Sequence, residues 1–131
     1  MSNRILIVDD SRDFRNLMAD LLNAVGFQVA TAVDGAAAIP QAAAFHPGLI
    51  LMDVQMPGID GCEACRRIKA NPDLAGIPVM LMSGDTGSAS RATAAGADAF
   101  MPKPFALDRL VSRIRALIGH EALPVWLREA S

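Results

Sequence analysis

The stretch Leu49–Gly61, LILMDVQMPGIDG, constrains the fold more than any other part of the chain. Leu49 to Asp53 is an apolar run closed by one carboxylate, and Pro47-Gly48 ahead of it signals a turn. A short run that is apolar at every position suits a strand buried on both faces. In an open parallel sheet, ligands bind at the carboxyl ends of the strands, so Asp53 stands where chemistry is expected. Pro57, Gly58 and Gly61 then force a loop, and Asp60 with Glu63 three residues later predicts a helix N-cap. A carboxylate at a strand end can equally well cap the loop that follows, so Asp53 gains weight only from what converges on it.

The rest of the chain repeats the same plan. Ile5–Val8 is a compact apolar strand ending in Asp9-Asp10, and Ser11 caps the next helix. Phe14, Leu17, Met18, Leu21, Leu22 and Val25 form that helix's apolar stripe, and Gly26 ends it. Phe27–Ala32 reads as a second strand, closed by Asp34-Gly35. Residues 36–45 are Ala-rich and helical in pattern, but Pro40 removes a hydrogen bond and is expected to kink or shorten the element. The third helix runs from Asp60 towards Lys69. Val79–Met82 is the fourth strand, running into Ser83-Gly84-Asp85, and Ala99–Met101 is the fifth, followed by Pro102-Lys103-Pro104. Between them, Ser88–Ala95 is a short helix with little apolar anchoring, expected to be mobile. A last helix carries Leu107, Leu110, Val111, Ile114, Leu117 and Ile118 on one face and stops at Gly119. Five strands alternating with five helices predict an α/β domain with a parallel sheet covered on both sides.

Composition narrows the class. The chain of 131 residues is the size of one domain, and 52% hydrophobic against 20% charged residues makes it globular rather than disordered. A net charge of -2 argues against nucleic acid or an anionic membrane as a partner of this chain alone. No apolar run approaches a membrane span, the N-terminus has no signal-peptide pattern, and the only cysteines are Cys62 and Cys65. A reducing cytoplasm is the expected location.

Asp9, Asp10, Asp53, Ser83 and Lys103 all follow strand carboxyl ends, so a right-handed doubly wound sheet gathers them at one edge. Three gathered carboxylates repel unless a cation joins them, and hard oxygen ligands suit Mg2+ (or Mn2+). A Lys adds a point charge for an anion and a Ser hydroxyl a hydrogen bond. Nucleophilic Asp, divalent metal, Lys and hydroxyl are together the parts needed to receive a phosphoryl group.

IVDD at 7–10, MDVQMPGIDG at 52–61, MSG at 82–84 and AFMPKPF at 99–105 resemble the receiver domain of two-component response regulators, the CheY-like family. The resemblance covers residues 3–118, with 1–119 as the receiver domain and 120–131 as a tail of unknown role. It implies a doubly wound five-stranded sheet of order 2-1-3-4-5, with Asp53 as phosphoacceptor. Asp10, Asp53 and the backbone carbonyl of Gln55 would ligate the metal, with Asp9 acting through bound water. Lys103 would pair with phosphoryl oxygens across a cis bond to Pro104. Ser83 would swing towards the phosphoryl group, Phe100 would turn inward behind it, and Gln55 and Asp85 would tune phosphoryl lifetime. A histidine kinase or histidine phosphotransfer protein would be the donor, and a downstream protein or a truncated output domain the target. Such a chain is a switch rather than a turnover enzyme. The sequence departs from the family's commoner residues at Ser83, Phe100, Gly48, Pro40 and Pro102 without losing a required group.

Three rival readings stand beside this one. A phosphorylation-independent receiver keeps the fold without the transfer. Cys62-Glu63-Ala64-Cys65 at a helix N-terminus has the thioredoxin-like spacing, in which the dipole lowers a thiol pKa. A flavodoxin-like cofactor binder would need a Gly-rich phosphate loop or an aromatic pair, and neither is present. His46 and His120 have no partners at ligand spacing and read as loop residues. In the tail, Leu123, Val125, Trp126 and Leu127 suit folding back, a homodimer or a linker.

Overall fold

The computed structural model describes residues 3–118. Its elements alternate strictly: β1 Arg4–Val8, α1 Arg12–Ala24, β2 Gln28–Ala32, α2 Gly35–Phe45, β3 Leu49–Asp53, α3 Gly61–Ala70, β4 Val79–Ser83, α4 Ser88–Ala94, β5 Ala99–Pro102 and α5 Leu107–Ile118. All pairings are parallel, in the order β2-β1-β3-β4-β5. This is the expected doubly wound sheet.

Residue alternation divides the core into two layers. Leu6, Val8, Ile50, Met52 and Leu81 face α2, α3 and α4, where they meet Ala38, Ala42, Cys62, Cys65, Ile68 and Ala92. Ile5, Ile7, Leu49, Leu51, Met80 and Met82 face α1 and α5, where they meet Met18, Leu22, Leu110 and Ile114. Every residue of β3 and β4 is buried, which is why those runs lack a polar alternation. Each buried Leu or Ile contributes about 1.5–3 kcal/mol, so the central strands are the stiffest part of the molecule.

The helices differ from expectation at particular positions. Ser11 caps α1, accepting from the Phe14 N–H, and Gly26 takes the positive φ that ends it. Only Met18 and Leu22 of its stripe are fully buried, while Leu17 is 55% exposed, because six apolar positions make a stripe wider than the sheet contact. Pro40 neither shortens nor interrupts α2. Pro40 and Ala36, the residue whose carbonyl loses its partner, are both exposed, so water can satisfy that oxygen. His46 ends α2 with φ 52°, a left-handed cap that local sequence alone does not distinguish from a loop residue. Asp60 caps α3 by accepting from the Glu63 N–H, but Glu63 turns to Arg66 and Arg67 instead of completing a reciprocal box. His120, Gly119 and the tail lie outside the described residues.

Candidate functional site

Strand register builds the site. Val8 of β1 pairs with Met52 of β3, so the residues that follow them, Asp9 and Asp53, emerge side by side at the same sheet edge. Asp53 in turn lies level with Met82 of β4, and Ser83 level with Pro102 of β5, which brings Lys103 to the same edge. The Lys103 N–H donates to the Ser83 carbonyl at 2.8 Å, and the Lys103–Pro104 peptide is cis, as the resemblance implied.

Asp9, Asp10 and Asp53 each offer a carboxylate oxygen, and these oxygens lie within 4.8 Å of one another. Ligands about 2.1 Å from one small cation stand up to about 4.2 Å apart, so modest side-chain rotation brings three such oxygens into an octahedral shell. Asp9 and Asp53 are buried, whereas Asp10 is exposed and leaves a path from solvent. The all-oxygen donor set fits a hard divalent cation such as Mg2+. A cleft of about 380 Å³ opens beside it, lined by Asp10, Gln55, Met56, Pro57, Asp60 and Arg91 among others.

The Lys103 ammonium lies 3.3 Å from Asp9 Oδ2 and 3.7 Å from Asp53 Oδ1. Asp53 is pushed above the ordinary carboxylate range chiefly by burial; Lys103 and the Gln55 N–H pull it down, while Asp9 and Asp10 push it further up. Asp9 is fixed by its neighbours: its Oδ1 accepts from the Ser11 N–H and its carbonyl from Arg15, both at 2.8 Å. Gly61 must be glycine, since a Cβ there would sit 2.2 Å from the Asp53 carbonyl oxygen. The return of α3 against the strand end therefore depends on that residue.

Ser83 faces a different partner. Its buried hydroxyl donates to Gln55 Oε1 at 2.8 Å and accepts from the Asp85 N–H at 2.9 Å. The Gln55 amide continues to the buried Ser88 hydroxyl, at 3.4 Å, in the first turn of α4. Asp85 is exposed and holds the Gly87 N–H, and Phe100 is half-buried against the layer containing α3 and α4. So Asp9, Asp10, Asp53 and Lys103 come together, while Ser83, Gln55 and Ser88 form an adjoining chain towards α4. Ser88, Arg15 and Arg91 escaped the sequence reading because nothing in their local pattern names a partner.

The cysteine pair lacks the surroundings of a reactive dithiol. Cys62 and Cys65 are free and buried in α3, and burial raises both thiols, Cys65 to about 11. Exposed, acidified thiols were the requirement, and the opposite is found. No helix among the described residues is long and apolar enough to cross a membrane.

Comparison with known proteins agrees with this geometry. A family model described as the response regulator receiver domain matches residues 5–115. The response regulator MprA of Mycobacterium bovis (strain BCG / Pasteur 1173P2) is 38% identical over 120 residues, which cover 90% of this chain and 51% of that protein. The signal receiver domain of a signal transduction histidine kinase from Syntrophus aciditrophicus superposes with a TM-score of 0.81 at 35% identity, covering 88% and 89% of the two chains. The response regulator TrrA from Thermotoga maritima, solved in complex with Mg2+ and BeF, gives 0.80 at 28% identity, covering 89% and 99%. This chain spans about half the length of the curated relatives it matches. The expectation of no nucleic-acid partner rested on the charge of these residues alone and does not extend to a protein of that length. The motifs, the sheet order and these matches agree, and the chain belongs to the response regulator receiver domain family.

Proposed function

We propose that Asp53 accepts a phosphoryl group from a histidine kinase or a histidine phosphotransfer protein. The observation that carries this reading is the convergence of Asp9, Asp10 and Asp53 with a lysine 3.7 Å from the Asp53 carboxylate. An Asp53 oxygen attacks phosphorus in line; the new O–P bond forms as the N–P bond to the donor imidazole breaks, and the imidazole leaves to take up a proton. Asp10, Asp53 and the Gln55 backbone carbonyl would hold Mg2+ or Mn2+, with Asp9 reaching it through water. A cation held there supplies charge neutralisation on the phosphoryl oxygens. Lys103 supplies the second positive charge, already drawn into place by Asp9.

The switch follows from hydrogen-bond accounting. The Ser83 hydroxyl has one proton, and at rest Gln55 receives it. Donation to a phosphoryl oxygen therefore breaks the Gln55 bond and frees the amide that reaches Ser88 of α4. The reading thus joins transfer at Asp53 to a change on the α4, β5, α5 surface, with Phe100 turning inward. Gln55 and Asp85 would tune phosphoryl lifetime. A downstream protein or an output domain would read that surface, in the cytoplasm, and residues 120–131 would serve packing, a homodimer or a linker.

Borohydride trapping tests the acceptor directly. After phosphorylation, reduction of an aspartyl phosphate converts that residue to homoserine, which peptide mass mapping locates. The expected site is residue 53; a homoserine at Asp9 or Asp10, or none after proven labelling, overturns the assignment.

A further inference from the structure

Lys103 poses a positioning problem. Its backbone is fixed by the bond to Ser83, but its ammonium is a point charge on a four-carbon stem with many rotamers. The two carboxylates that attract it, Asp9 and Asp53, are the groups whose own partners change when a cation or a phosphoryl group arrives. A third contact carries no charge to exchange: the ammonium sits 4.3 Å from the centroid of the Phe14 ring. That is well inside the roughly 6 Å over which an aromatic face attracts a cation.

The ring is itself held. Phe14 lies in the first turn of α1, its N–H capped by the Ser11 hydroxyl. It meets the Phe105 ring in a T-shaped contact with centroids 6.5 Å apart and planes at 82°, a preferred aromatic arrangement. Phe105 follows Pro104, so the loop that carries the lysine also braces the ring. Phe14 is only half-buried and borders a groove of about 410 Å³ with Leu17 and Leu107, whereas Met18 and Leu22 form the buried contact of α1. Its place in the apolar stripe accounts for an aliphatic residue there as well as for an aromatic one. The lysine accounts for the ring.

We propose that Phe14 is a positioning residue for phosphoryl capture, its ring face holding the Lys103 ammonium at the mouth of the carboxylate site before and during transfer. This rests on the reading of Lys103 as the phosphoryl-binding lysine.

The full chain with Phe14→Leu, which keeps apolar bulk but removes the face, is compared with Phe14→Tyr, which keeps the face. Labelling by acetyl phosphate with Mg2+ is expected to slow about two- to fivefold in the first and to change little in the second. In a Lys103→Met background the Leu substitution is expected to have no further effect. Proton NMR gives a readout independent of transfer: ring current should move the Lys103 methylenes next to nitrogen upfield in wild type and Phe14→Tyr, and release them in Phe14→Leu. Equal labelling of Leu and Tyr variants, an undiminished Leu effect without the lysine, or unshifted Lys103 methylenes in the wild type would overturn the proposal. A Lys103→Met chain that labels at the wild-type rate would instead sink the reading of Lys103, while the methylene shift still decides whether Phe14 holds the ammonium.

Discussion

The two corners of the site are held by different kinds of force. Asp9 and Asp53 leave β1 and β3, strands whose residues before the carboxylates are fully buried apart from Arg4. Apolar packing there leaves the carboxylates few arrangements. The corner reached by Ser83 ends on α4, a seven-residue helix in which only Ser88 and Ala92 are buried and the Gly87 cap supplies no side chain. Two polar ties span from it: Gln55 to Ser88, and Arg91 to Asp60 at 2.6 Å. Side-chain hydrogen bonds contribute about 1 kcal/mol each and can be exchanged singly, whereas a packed strand cannot be moved in parts. A nucleophile is best fixed and a reporter best left loosely tied, and the chain supplies both within adjacent strands.

Substitutions ought to separate the corners. Leu51→Ala in β3 is expected to cost about 2–5 kcal/mol in urea unfolding, since the side chain has no exposed surface and its neighbours cannot close the gap. A loss below about 1 kcal/mol would mean that the strand is not the stiff base described. Asp60→Ala removes a helix cap and the partner of Arg91, and about 1–2 kcal/mol should be lost. Most of that belongs to the cap, because Arg91 is half exposed and such pairs are screened.

The same carboxylate gives the comparison a pH dependence. Burial pushes Asp60 up, but the Glu63 N–H and Arg91 outweigh it and hold the group below its usual range. A depressed carboxyl stabilises the native state above its unfolded value near pH 4, and that contribution disappears as pH falls through the native value. Hydrogen exchange should therefore loosen the start of α3 and α4 in acid before the central strands open. Simultaneous opening would erase the distinction. The smallest effects belong to Ser88→Ala, about 1 kcal/mol or less, and to Arg91→Ala, smaller still because solvent screens its pair with Asp60. Both should speed exchange in α4 alone.

The fixed corner was the legible one. Leu49–Asp53, the closing carboxylates and the Asp60 cap are local patterns, and a strand end in a parallel sheet can be placed by counting apolar runs. Pro40 misled because its local penalty is real, and only the exposure of Ala36 shows how it is relieved. The width of the α1 stripe misled likewise, since the sheet and α5 decide which of six apolar positions find cover. The loosely tied corner depends on pairs distant in sequence, Gln55 with Ser88 and Asp60 with Arg91, and on a rotamer that turns Ser83 to an amide. Lys103 above Phe14 belongs to the same class. No periodicity announces such contacts.

The most direct measurement is the intact mass of the protein after acetyl phosphate, with and without Mg2+, beside Asp53→Asn. A gain of about 80 Da, one phosphoryl group, that requires the cation and is absent in the variant is the expected result. Retention of that gain in Asp53→Asn would contradict Asp53 as the acceptor on which both corners turn.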